Sequence, residues 1–160
     1  MKKQKGFSLI ELLIVVAIIL IIAAIAIPNL LRSRMAANEA SAVGSLRTIN
    51  TAEVTYSTTY PNIGFAVDLT SLGGAAPCTT AVSGAACLID DVLSITQVKS
   101  GYKFAAAGAN GGGPINVTYT TSAVPSVIGQ SGQRGFYSDQ SGVIRYDPTG
   151  AIPTPGSPAL

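Results

Sequence analysis

The stretch KGFSLIELLIVVAIILII, residues 5–22, decides how the rest of this chain is read. From Phe7 to Ile27 every side chain is apolar except Ser8 and Glu11, and Leu12–Ile27 is unbroken. At a helical rise of about 1.5 Å per residue the run spans roughly 30 Å, one bilayer core. A carboxylate costs about 2.5–3.5 kcal/mol in mid-bilayer, less near an end, so Glu11 needs a physical reason. Lys2, Lys3 and Lys5 precede the run, and Arg32 and Arg34 follow it. That distribution favours a cytoplasmic N-terminus and an exported C-terminal body.

Three readings of the segment compete. A conventional secretory signal would use a small-residue site such as Ala24-Ile25-Ala26, but its apolar region is shorter and carries no acid. A plain membrane anchor gains nothing from Glu11 and is weakened by it. A helix that leaves the bilayer and packs among copies of itself gives the carboxylate a cationic partner on another chain.

The third reading coincides with a resemblance. Lys5-Gly6 followed by Phe7-Ser8-Leu9-Ile10-Glu11-Leu12 resembles the processing site of type IV prepilins and of the pseudopilins of type II secretion. The likeness is dense from Lys5 to about Leu31 and includes Pro28-Asn29-Leu30. It implies a leader, residues 1–6, removed by a membrane peptidase that cuts after Gly6 and N-methylates Phe7. Glu11 then stands at the fifth position of the processed chain, where that family carries a glutamate. Cleavage would leave a positive α-amino group on Phe7. If that amine meets Glu11 of a neighbouring subunit, two buried charges neutralise each other. A misregistered subunit leaves both unpaired, at a cost of several kcal/mol. Glu11 thus reads as a register device for assembly.

Composition narrows the function further. Charged residues make up 11% of the chain, well below a soluble domain's usual quarter, so much of its surface faces lipid or other subunits. Without the leader, seven basic side chains face eight acidic ones, which is no footprint for direct nucleic-acid binding. Histidine is absent, which removes Ser–His and Cys–His nucleophile pairs and His-based zinc sites. No catalytic residue, metal or cofactor is expected. Asp90-Asp91 and Asp139 with Asp147 offer oxygens at spacings unlike a calcium loop. Gly73-Gly74 and Gly111-Gly112-Gly113-Pro114 lack the lysine of a phosphate loop. Asn116-Val117-Thr118 fits a glycosylation sequon but reads equally well as strand. Cys78 and Cys87, nine positions apart among turn-forming residues, suit a disulfide-closed loop in an oxidising compartment; the alternative is two free thiols.

Past the apolar segment, 7–27, Pro28 lacks the N–H that would bond back to Ala24 and so kinks or interrupts the helix. Residues 28–60 resume a helical period. Met35, Ala42, Leu46, Ile49, Ala52 and Tyr56 form an apolar stripe, while Arg32, Arg34, Glu39, Arg47 and Glu53 read as polar surface. Tyr60-Pro61-Asn62 closes the helix. Residues 61–100 are a Gly-, Ala- and Ser-rich connection with the cysteines and a short helical turn at Asp90-Asp91-Val92. Strands are expected within 101–148, at Tyr102–Ala105, Asn116–Thr120, and a hairpin of Gly135–Ser138 with Val143–Tyr146 around Asp139-Gln140-Ser141-Gly142. Residues 149–160 read as an irregular, exposed tail.

The expected fold is therefore α+β, one long N-terminal helix packed on a small antiparallel sheet, matching the lollipop layout that the resemblance implies. Many type IV pilins carry their disulfide near the C-terminus, whereas here Cys78 and Cys87 lie between helix and sheet. The expected role is a non-enzymatic filament subunit polymerising with copies of itself. Its partners would be the prepilin peptidase/methyltransferase, the inner-membrane pilus assembly machinery, and membrane lipid before assembly. It would pass from the bacterial inner membrane, N-terminus inside, to an extracellular pilus. The alternatives are a type II secretion pseudopilin, or a periplasmic binding domain with an ordinary signal or anchor.

Overall fold

The computed structural model describes residues 7–74 and 77–160, and the leader with Gly6 lies outside them. Helix α1 runs from Leu9 to Thr59, and Pro28 lies inside it with helix continuing on both sides. The chain divides into two compact units, Met1–Arg34 and Met35–Leu160.

In the second unit, α1 from Met35 onward packs on a five-stranded antiparallel meander ordered β1-β2-β3-β4-β5. The strands are β1 (Val98–Lys99), β2 (Tyr102–Ala109), β3 (Thr118–Pro125), β4 (Gly135–Asp139) and β5 (Arg145–Asp147). A two-residue turn, Ser100-Gly101, joins β1 to β2, and both residues have positive φ. Along β2 the inward positions are Tyr102 and Phe104, alternating with exposed Lys103 and Ala105. These meet Ala42, Leu46 and Ile49 of α1, with Ala123 and Phe136 from the next strands, in one core. The architecture is α+β, as the periodicities predict.

Several boundaries differ from the sequence expectation. β2 runs on to Ala109, and β3 begins at Thr118 and not at Asn116. Asn116 instead bridges to Gly64, and its Nδ2 donates to the Phe65 carbonyl, pinning the segment after α1. The 61–100 connection holds a second helix, α2 (Leu69–Gly73), capped by Asp68, which accepts from Ser71 N. The helical turn expected near Asp90 is one turn of π-helix, Val92–Thr96. The tail is irregular but anchored. Tyr146 N donates to Pro158 O, Leu160 N to Ile144 O, and Arg145 to Ser157 O. It also approaches the start of β4. At Gly135 the Ala151 carbonyl comes so near that a side chain's Cβ would lie 1.9 Å from it.

The largest correction concerns two acids. Glu39 and Glu53 read as polar surface, yet both are buried, Glu53 completely. Positions 39, 42, 46, 49, 53 and 56 advance by alternating threes and fours, so the two glutamates are in phase with the apolar stripe. Hydrophobicity alone excluded them from the buried face, while helical phase places them there.

Candidate functional site

In the first unit, every large apolar side chain from Phe7 to Leu31 is exposed, from Phe7 at 78% down to Val16 at 46%. This is an all-round apolar surface, with no polar face to give water. Helix α1 contains a window long and apolar enough to cross a membrane. A contiguous apolar surface of this size is stable only against lipid or other protein.

At its start, Glu11 occupies the third helical position after Ser8, and its Oε2 accepts a hydrogen bond from Ser8 N at 2.9 Å. Ser8-x-x-Glu11 is the spacing of a capping box, in which the glutamate satisfies a backbone donor that the helix start leaves orphaned. Its negative charge also sits against the positive end of the helix dipole. The sequence reading missed this local partner, although the S-x-x-E spacing announces it. Among the described residues Glu11 therefore has one modest partner and remains exposed. The Phe7 side chain, four positions earlier in the sequence, is also exposed.

Cys78 and Cys87 are joined, with Cα atoms 5.6 Å apart. The end of the closed loop is laid against α2 by three backbone bonds, from Ala86 N to Ser71 O, Cys87 N to Gly73 O, and Leu88 N to Leu72 O. The Tyr56 hydroxyl, from α1, donates to Ser83 O at 2.6 Å. The disulfide loop is thus tied to both helices.

The remaining carboxylates serve local structure. Asp90 accepts from Lys99 Nζ and Leu93 N, Asp139 from Ser141, and Asp147 from Thr149. Burial raises the Asp90 pKa, but the Lys99 and Leu93 donors outweigh it and leave the group below the usual carboxylate range. Glu39 joins α1 to the start of β4. It accepts from Gln133 N at 2.9 Å, Arg134 N at 3.1 Å and the Arg134 guanidinium at 2.8 Å. Burial pushes its pKa up, and these donors together bring it below the usual value. Glu53 is held differently. Its Oε2 accepts from Ala66 N at 2.9 Å, and its Oε1 is buried without a partner. Burial there, opposed by only one backbone donor, raises its pKa to about 7.

Comparison with known proteins bears on the first unit most strongly. Residues 1–27 match the family model of the prokaryotic N-terminal methylation motif. A type IV wide pilus major component, PilA4 of Thermus thermophilus, is 64% identical over 39 residues, covering 24% of this chain and 30% of that protein. A type IV major pilin protein, PilA of Myxococcus xanthus, is 44% identical over 54 residues, covering 34% of this chain and 24% of that one. The chain thus spans less than a third of the length of either relative. No solved structure matches it. By its N-terminal motif and by both relatives, the chain resembles the type IV pilins.

Proposed function

We propose that this protein is a structural subunit of a type IV pilus filament. The observation that carries the reading is the apolar helix surface from Phe7 to Leu31, uncovered all round and headed by the methylation motif. The precursor sits in the bacterial inner membrane with its N-terminus inside. A prepilin peptidase removes residues 1–6 after Gly6 and methylates the new amine of Phe7. Assembly machinery in the inner membrane then draws the subunit from lipid into a filament of identical copies. Apolar helix segments fill the interior, and the sheet-bearing units face outward, outside the cell. The α-amino group of Phe7 in one subunit pairs with Glu11 of another, replacing the weak capping bond from Ser8 with a buried charge pair. The protein binds and packs; it catalyses nothing.

The test is mass analysis of the N-terminal peptide from sheared surface material and from membranes. Filament subunits are expected to begin at N-methylated Phe7 and to be abundant in the sheared fraction. A chain beginning at Ile27, or functional material that keeps Lys2 to Gly6, would contradict the reading.

A further inference from the structure

We infer that Asn110 is a self-modifying site, at which the backbone amide of Gly111 converts the side-chain amide to a carboxylate. The chain has six asparagines, and five are held against this reaction. Asn29, Asn38 and Asn50 lie inside α1, where the following N–H belongs to the helical ladder. After Asn62, the Ile63 N–H donates to Tyr60 O; after Asn116, the Val117 N–H donates to Ala109 O. Both of those successors are also β-branched, which crowds the approach. Asn116 is further clamped, since its amide donates to Phe65 O.

Asn110 differs in each respect. It follows the last residue of β2, and both Asn110 and Gly111 are exposed. Among the described residues none accepts the Gly111 N–H. Gly111 has a φ of +58° and no side chain, and even an added Cβ there would meet only Val117 at 3.8 Å. Among the described residues one hydrogen bond opposes rotation of this peptide toward the side-chain carbonyl carbon, from Gly113 N to Asn110 O at 3.0 Å within the same exposed turn. The Gly112 N–H donates to Asn110 Oδ1 at 3.1 Å. That oxygen gains negative charge when Cγ is attacked, so the turn already presents a donor to the tetrahedral species.

The step balances without an oxidant or reductant. Gly111 N gives its proton to solvent base and bonds to Asn110 Cγ. The Cγ–Nδ2 bond then breaks, and Nδ2 takes up a proton and leaves as ammonia. Water opens the resulting five-membered imide at either carbonyl, leaving an aspartyl or an isoaspartyl residue at position 110. One amide and one water become one carboxylic acid and one ammonia. The β2–β3 ladder from Ala109↔Thr118 inward is untouched, because the change falls in the loop outside it. The product adds one negative charge at an exposed loop between strands, and the isoaspartyl form also lengthens the turn's backbone. In a polymer held outside the cell, as proposed above, such a mark accumulates with the age of each subunit.

The experiment incubates the purified full-length chain in detergent micelles in mildly alkaline and mildly acid buffer. Peptide mass and isoaspartate content are then followed at all six asparagines. Asn110 is expected to lose its amide roughly tenfold or more faster than any other asparagine, and faster in alkaline buffer. Asn110→Gln removes the signal, because its ring would be six-membered, and Gly111→Ala slows it. A synthetic peptide of residues 107–115 is expected to react no faster than the folded chain. Equal rates at all six asparagines, or a folded chain that protects Asn110 relative to the peptide, would overturn the inference. Either result leaves the filament reading untouched, since the assay involves no assembly.

Discussion

Glu39 and Glu53 share a residue type, a helix and a buried stripe, yet their carboxylates obey opposite pH rules. The difference is the number of donors. Glu39 has two backbone N–H groups and a guanidinium, so ionised Glu39 is favoured in the folded state. Its folded pKa is depressed, and the stability it contributes is present above 4.5 and is lost as pH falls through the folded value. Glu53 has one N–H and an orphan oxygen, so its charged form is disfavoured. Its folded pKa of about 7 lies above the unfolded value of 4.5, so its contribution is full below 4.5. That contribution is lost as pH rises through about 7. At 1.36 kcal/mol per pKa unit, the loss is about 3 kcal/mol. Urea melts of the full chain in micelles, followed by tyrosine near-UV signal, are expected to show wild type losing roughly that much between the two pH limits. Glu53→Gln should lose far less over the same window, because glutamine accepts from Ala66 N without titrating. An equal loss in both chains would contradict the assignment. Neither acid's burial was legible from hydrophobicity, though the alternating spacing of three and four from Glu39 to Tyr56 carried it.

Among the elements, what was legible depended on how local its cause was. The β4–β5 hairpin announced itself through Asp139-Gln140-Ser141-Gly142, where Asp139 accepts from Ser141 N in a self-contained turn. Helix α2 was equally local, with Asp68 as its N-cap and Gly74 at its end, but five residues are too short to show a period. β1 is two residues long, and only the Ser100-Gly101 turn marked it. The end of β3 was hidden because Pro125 reads as a strand breaker. It is tolerated because it is the last residue of β3, where the ladder ends. The tail was the least local case. Its docking is a long-range pairing along β5, with an Arg145↔Ala159 bridge, that no tail composition reveals. It covers an edge that would otherwise offer free backbone groups to another chain. A stop codon in place of Ser157 should accelerate amide exchange at Tyr146 by about tenfold or more, since its acceptor, Pro158 O, is gone. Unchanged exchange there would mean that the tail is not the edge's cover.

For the molecule as a whole, the sequence was most informative where the structure of one chain is least complete. Among the described residues the Phe7–Leu31 surface stays uncovered, and an apolar surface of this size is stable only against lipid or other protein. The motif, the apolar length and the acid at position 11 were all readable, because none of them depends on the private packing of the sheet. In the proposed filament Glu11 acts through its charge on a neighbouring subunit. Its bond to Ser8 N supplies a rival role, helix capping, and one substitution separates the two. Glu11→Gln keeps an oxygen that can accept from Ser8 N but cannot neutralise an ammonium, whereas Glu11→Ala removes both functions. The measurement is the yield of sheared filament from each variant, at matched levels of membrane-inserted precursor. Both variants are expected to insert normally, and Glu11→Gln is expected to fail to build filaments as severely as Glu11→Ala. Wild-type filament yield from Glu11→Gln would show that the acid only caps its own helix and that the register pairing does not exist.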